Sequence, residues 1–298
     1  MTVNSITILL PLLILIGGGF LIARFYSLSE GPLVRVVTDF FMPLLVFYSF
    51  CTVRIPIDEI GRLAGVVTFV VALMLAVSWL FCKILNLKLQ AVAPPLIFMN
   101  SGFLGIPIMK LWGGLAAMNL IIIYDQIQTF YIFTLGIVIV TGSFNLKGLK
   151  EMIRSPLVWA IILGFGFNIG NVQVHGSLLE AMKFCGDAAP PLATFAIGIT
   201  LNRYKLSLNG RVIIGVFLRM ALGLALGMVA ALVFGFSGQR AVVVSVASGL
   251  PSAVFSVVLP LRYGVDSKFA GSVLIVSTLL SLLTLPFMFL IAAYVFLG

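Results

Sequence analysis

Apolar positions run along this chain in blocks of about twenty residues, the length a helix needs to cross the ~30 Å hydrocarbon core of a bilayer. Ten such blocks are predicted, at residues 5–23, 32–53, 63–82, 91–112, 117–143, 156–173, 178–201, 212–235, 240–261 and 269–296. Turn-forming and charged residues punctuate them, as in Ser29-Glu30-Gly31-Pro32, Ile55-Pro56-Ile57-Asp58-Glu59, Asn202-Arg203-Tyr204-Lys205 and Tyr263-Gly264-Val265-Asp266. The breaks are short and leave no room for a soluble domain. The first block, residues 6–23, has no basic segment before it and is long enough to span, so it reads as a helix rather than a cleavable leader.

A repeat lies within this pattern. Asp39 and Pro43 in the second block recur as Asp187 and Pro191 in the seventh, each 148 positions later. The fourth block is interrupted by Asn100-Ser101-Gly102-Phe103-Leu104-Gly105 before Pro107. The same offset carries Phe103 onto Pro251, inside Ser248-Gly249-Leu250-Pro251-Ser252 of the ninth block. The ten spans thus divide into halves of five, 1–145 and 146–298. Because five is odd, the second half enters from the opposite side, giving an inverted-topology repeat.

Composition agrees with this reading. Of 298 residues, 61% are hydrophobic and only 9% charged, against about 25% charged in soluble domains, so a bilayer rather than one core must take up the apolar surface. The net charge of +9 is scattered singly or in small groups between apolar runs. It forms no basic stripe interleaved with aromatics, so a nucleic-acid partner is not expected. With the N-terminus outside, the inward loops receive Arg24, Arg35, Lys83, Lys88, Lys147, Lys150, Arg154, Arg203, Lys205, Arg211, Arg262 and Lys268. The outward side receives Arg54, Arg62, Lys110, Lys183 and Arg240. This bias places both termini on the extracytoplasmic side of a cell (inner) membrane. Cys51, Cys82 and Cys185 show no paired spacing, and no metal site or other cofactor is expected from them.

The interrupted blocks carry the candidate chemistry. Pro107 and Pro251 lack an N–H, and each ring crowds the carbonyl four residues earlier, so backbone groups are freed that cannot face lipid. If the two broken helices meet at the midplane, the N-termini of their second halves offer free N–H donors and partial positive charge to an anion such as a carboxylate. Asn100, Ser101, Ser252 and Ser256 can add side-chain hydrogen bonds, and Gly102 and Gly105 allow close backbone approach. Pro43, Pro107, Pro190, Pro191 and Pro251 are the candidate breaks or hinges.

Ionisable residues within spans are costly and read first as functional. Asp125 stands in Tyr124-Asp125-Gln126-Ile127-Gln128-Thr129, the most polar patch of any span. With Gln126 and Gln128 it is either a coupling site for H+ or Na+ or a carboxylate reaching toward the outer surface. Asp39 and Asp187 are assigned structural roles, paired with Arg35, Arg219 or carbonyls beside the prolines. Hydrolase, zinc-protease and phosphate-loop signatures do not occur, so an enzyme is not expected.

The pattern Asn100-Ser-Gly-Phe-Leu-Gly-Ile-Pro107 resembles the Asn-x-Gly-x-Leu-Gly-x-Pro signature of the auxin efflux carrier family. Similar likenesses run through Pro190-Pro-Leu-Ala-Thr-Phe-Ala-Ile-Gly198-Ile-Thr-Leu201, Leu250-Pro-Ser-Ala-Val-Phe-Ser-Val-Val-Leu259 with Tyr263-Gly264-Val-Asp266, Ser155-Pro156-Leu-Val, and the run from Ser277 to Pro286. The resemblance implies ten transmembrane helices with crossing broken helices 4 and 9, as in bile-acid symporters and sodium/proton antiporters. It also implies a scaffold of helices 1, 2, 6 and 7, a transport unit of helices 3–5 and 8–10, an elevator-like movement and a homodimer. The substrates it implies are small organic anions such as malate, malonate or auxin. The short connection 145–154 is similar to that of the compact prokaryotic permeases. Phe255 stands where many relatives carry an Asn, which shifts polar contacts onto Ser252, Ser256 and Asn100 or suits a more apolar cargo. The expected function is secondary transport of small carboxylates, with membrane lipids around it. The alternatives are an ion-coupled symporter of larger amphipathic anions and a sensor or channel-like protein.

Overall fold

The computed structural model describes residues 5–52, 57–142, 154, 156–203 and 208–298. Arg54, Lys147, Lys150, Tyr204, Lys205, Ser155 and the connection 145–153, all used above, lie outside the described residues. Among the described residues the regular structure is helical, apart from a single antiparallel bridge between Met99 and Ser252. Six helical stretches among the described residues are each long and apolar enough to cross a membrane: Glu30–Thr52, Asp58–Leu85, Ser101–Thr141, Gly176–Asn202, Gly210–Val233 and Lys268–Leu297. The chain is an all-α, multi-pass membrane protein. Its helices form two compact units, one from residues 1–57 and 149–203, the other from 58–148 and 204–298.

The first unit holds α1 (Ser5–Tyr26), α2 (Glu30–Thr52), α6 (Pro156–Ile169), α7 (Gly176–Gly186) and α8 (Ala189–Arg203). α1 and α8 touch backbone to backbone at Gly19 and Gly198. A Cβ on Gly19 would meet the Phe195 carbonyl, and one on Gly198 would meet the Ile16 carbonyl. Small residues let apolar helices approach this closely where no hydrophobic force drives them together. α2 packs on α6 through the rings of Phe50 and Phe165, 4.4 Å apart, and Asn168 Nδ2 donates to the Phe50 carbonyl (2.9 Å) at the end of α2.

Pro43 does not end its helix. The preceding turn, Val37–Phe41, widens to a π pattern, which absorbs the missing N–H and lets α2 continue. Pro190 and Pro191 sit in the first turn of α8, where an absent N–H costs nothing. For Asp187, expected to pair with Arg35, Arg219 or carbonyls beside the prolines, the ion pair is a local one. Lys183, one turn earlier on the same strand of helix, reaches Asp187 at 2.9 Å. Asp39 accepts from the Thr38 hydroxyl at 3.1 Å.

The second unit holds α3 (Ile57–Leu85), α4 (Leu89–Ile97), α5 (Ser101–Thr141), α9 (Gly210–Val233), α10 (Gly238–Gly249), α11 (Phe255–Arg262) and α12 (Lys268–Leu297). α5 is not one straight rod: Gly114 has φ 66° and ψ −154°, a conformation that only glycine adopts cheaply, and helical geometry breaks there. Helix ends are capped locally. The Asn209 side chain accepts the Val212 N–H (3.0 Å) at the start of α9, and Asp266 accepts the Lys268 N–H (2.9 Å) at the start of α12. At one edge Arg240 pairs with the buried Glu59 (3.1 Å), and Arg62 lies over the Phe236 ring, fastening α3 to the α9–α10 connection.

Candidate functional site

α4 stops at Ile97 and α10 at Gly249, and in both cases the next residue turns to extended backbone. The freed segments then pair with each other. The Asn100 N–H donates to the Pro251 carbonyl (2.8 Å), and the Ala253 N–H donates to the Phe98 carbonyl (2.9 Å), flanking the Met99–Ser252 bridge. Pro251 has no N–H to leave unsatisfied, so only its carbonyl needs a partner, and it has one. From this junction the chain re-enters helix at Ser101, through the wide turn Ser101–Gly105, and at Phe255. Pro107 follows that wide turn and lies inside helix, so the interruption falls at residues 98–100 rather than at the proline.

A polar network fixes the first arm. The Met99 N–H donates to Gln128 Oε1 (3.2 Å), which sets the orientation of the amide because a backbone N–H can only donate. Gln128 Nε2 therefore faces, and donates to, the Met99 carbonyl (2.7 Å) and Ser101 Oγ (3.0 Å). With its oxygen engaged by Gln128, the Ser101 hydroxyl points its proton at Asp125 Oδ1 (2.7 Å). Gln126 Nε2 reaches Asp125 Oδ2 at 3.2 Å. A Cβ on Gly102 would lie 3.0 Å from Asp125 Oδ1 and 3.1 Å from Oδ2, so the missing side chain is what lets the carboxylate reach this backbone. Gly105 serves packing in the same way, since a Cβ there would be 2.8 Å from Leu250 Cδ1.

The second arm is tied to α12, where the Ser277 hydroxyl accepts the Ser252 N–H at 3.1 Å. Ser256, expected beside the cargo, instead donates to the Pro94 carbonyl (3.0 Å) and covers the end of α4. Phe255 stacks edge-on against Phe133 at 5.8 Å. Tyr124 Oη and Ser248 Oγ, 2.9 Å apart, join α5 to α10.

What remains is a set of buried polar atoms without a partner: both amide atoms of Asn100, the Ser252 hydroxyl and the Thr278 hydroxyl. Asn100 is 1% exposed and the other two are fully enclosed. Each such atom costs about 1–3 kcal/mol unless something outside the fold pairs with it. The sequence-predicted residues Asn100, Ser101, Gly102, Asp125, Gln128, Pro251 and Ser252 thus come together at one junction. Gln126 is half-buried beside Asp125, and Ser256 is turned away. Tyr124, Ser248, Ser277 and Thr278 stood in the sequence only inside longer motifs and were given no role of their own, because a hydroxyl in an apolar helix carries no pattern. Arg219 was noticed but its partners were not. It is fully buried and donates to the carbonyls of Leu96 (2.7 Å), Ile97 (2.9 Å) and Ser248.

Comparison with known proteins supplies the family. Residues 140–289, half of the chain, match the family model described as membrane transport protein. A protein of Methanothermobacter thermautotrophicus named as an uncharacterized transporter is 26% identical over 298 aligned positions, covering 95% of this chain and 97% of its own. The Escherichia coli K12 protein YfdV, also named as an uncharacterized transporter, is 22% identical and is covered over 94% of its length by 93% of this chain. A multi-pass helical chain with this match along half its length, and relatives that align nearly end to end, belongs to the auxin efflux carrier family of membrane transport proteins.

Proposed function

We propose that the chain is a secondary transporter of small organic anions, holding a carboxylate at the junction of residues 98–101 and 250–253. The observation that carries this reading is the cluster of buried, unpartnered polar atoms on Asn100 and Ser252, set where two helices begin. Helix N-termini favour negative charge without a basic side chain, and an amide and a hydroxyl supply directional donors. A carboxylate is the simplest group that satisfies the donors among them, while the Asn100 Oδ1 acceptor calls for a hydroxyl, a water or a cation beside the carboxylate.

In this reading the chain has ten spans, with α5 counted as two. α5 is 41 residues long, or about 60 Å at 1.5 Å per residue, twice the hydrocarbon thickness, with its break at Gly114. α4 with the first part of α5, and α10 with α11, then serve as the interrupted pair of a five-plus-five inverted repeat. The division of contacts into two units supports reading residues 1–57 and 149–203 as scaffold, and the site-bearing unit as the part that moves in alternating access, elevator-like. Asp125, buried and bonded to Ser101, is the coupling residue of this scheme. A lone carboxylate so placed needs a proton or a small cation such as Na+ when the cargo arrives. Both termini face outward, and the working form is a homodimer. Phe255 against Phe133 favours a cargo with some apolar body, as in the amphipathic anions of bile-acid symporters.

The test is counterflow of labelled malate, malonate and indole-3-acetate into proteoliposomes preloaded with the same unlabelled acid. Saturable accumulation of one of them is expected. Folded protein that accumulates none would overturn the substrate class.

A further inference from the structure

Arg219 is the largest fully buried side chain that the transport scheme leaves unused. A cation inside a membrane span ordinarily finds a carboxylate or a water-filled cavity. Here, among the described residues, its hydrogen bonds go to backbone carbonyls: Leu96 and Ile97 at the end of α4 and Ser248 at the end of α10. These are the last carbonyls of the two helix halves, the orphaned acceptors that carry the negative end of the helix dipole. One guanidinium therefore joins both C-terminal ends, using the planar fork that only arginine presents. Asn100 follows Ile97 by three residues and Ser252 follows Ser248 by four, so the clamp stands directly upstream of both candidate ligands.

The helix carrying Arg219 is built around it. α9 widens to a π turn at Leu218–Leu222, a local irregularity of the kind that recurs at functional positions. One turn on, a Cβ at Gly223 would strike the Arg219 guanidinium and the Ser248 carbonyl. A turn further, a Cβ at Gly227 would lie 2.7 Å from Ser248 Oγ. Arg219, Gly223 and Gly227 thus form one face that lets α9 lie against α10 closely enough for the bonds to form.

We infer that Arg219 is a positioning residue for the junction: it holds the C-terminal ends of α4 and α10 together and so sets where Asn100 and Ser252 stand. Its charge also offsets those two helix ends, leaving the N-terminal ends of α5 and α11 free to favour an anion. This second consequence rests on the proposed function, whereas the clamp itself does not.

The experiment is hydrogen–deuterium exchange on the purified full chain in lipid nanodiscs, comparing wild type with Arg219→Gln, Arg219→Lys and Gly223→Ala. Exchange in peptides covering 96–101 and 248–254 should rise about tenfold or more in Arg219→Gln, with the rest of the second unit little changed. Arg219→Lys keeps the charge but not the fork, and is expected to fall between. Gly223→Ala keeps the arginine and displaces it, giving a decisive second reading if Arg219→Gln does not fold. Its two segments should loosen together. Unchanged exchange in both segments, loosening of one alone, or an even rise across the whole unit would each overturn the clamp. Carboxylate counterflow is measured separately, so a failure of the substrate class is not mistaken for a failure of the clamp.

Discussion

Adding a single methyl group at Gly102 puts the polar network under direct test. In Gly102→Ala the new carbon would stand 3.0 Å from Asp125 Oδ1, 3.1 Å from Oδ2 and 3.3 Å from Cγ, flat against the carboxylate. The carboxylate must retreat by a few tenths of an ångström, and it is poorly placed to do so. Oδ1 is held by Ser101 at 2.7 Å, Ser101 is held in turn by Gln128 at 3.0 Å, and Oδ2 is held by Gln126 at 3.2 Å. Overpacking of this kind costs about 1–3 kcal/mol. Against it stands a gain of roughly 0.5–1 kcal/mol for replacing Gly by Ala in a helix. The net expectation is a loss of about 0–2.5 kcal/mol, measured by denaturant unfolding in bicelles. Gly61→Ala is the matched control, because nothing lies within 4 Å of a Cβ there, and it should be neutral or stabilising. In an Asp125→Ala background the penalty should vanish. A Gly102→Ala protein as stable as Gly61→Ala, or a penalty unchanged without Asp125, would refute the packing described.

Three further outcomes follow from the same structure. Asn100→Ala and Ser252→Ala remove unpartnered groups, so each should leave unfolding stability within about 0.5 kcal/mol of wild type or raise it. Ser256→Ala removes the hydroxyl that donates to the Pro94 carbonyl and should cost about 1 kcal/mol in the same assay, despite lying only four residues from Ser252. Gly198→Ala drives a methyl into the Ile16 carbonyl and the Phe20 backbone. It should cost more than about 3 kcal/mol, seen as loss of folded protein in size-exclusion profiles.

The all-helical, multi-pass class could be read from spacing alone. The blocks of apolar residues, the cluster Asn100 to Gly105 and the matching break at Pro251 arise from local chemistry, because proline and glycine disturb a helix wherever they stand. Asp125 also announced itself, as a charge in an apolar run. Other features depend on tertiary partners and left no such mark. Arg219 prompted a search for a carboxylate partner, yet its partners are carbonyls, which every residue has. Gly223 and Gly227, four and eight residues on, are the sequence signal of a face packed against another helix, and it was not read as one. Ser256 looked equivalent to Ser252 by composition, but Ser252 lies in the extended bridge while Ser256 is already in α11, where its hydroxyl faces Pro94. Pro43 has the chemistry of a break, and a widened turn upstream removes its effect.

The central claim is that an anion is held where residues 98–101 meet 250–253. Its most direct test is equilibrium binding of the carboxylate that supports counterflow, measured on purified wild type, on the Asn100→Ala/Ser252→Ala double variant and on Ser256→Ala. Loss of two hydrogen bonds to a charged group, each about 1.4 kcal/mol, predicts roughly a hundredfold weaker binding in the double variant, while Ser256→Ala binds as wild type. Equal affinity in wild type and the double variant would place the anion elsewhere and contradict the account.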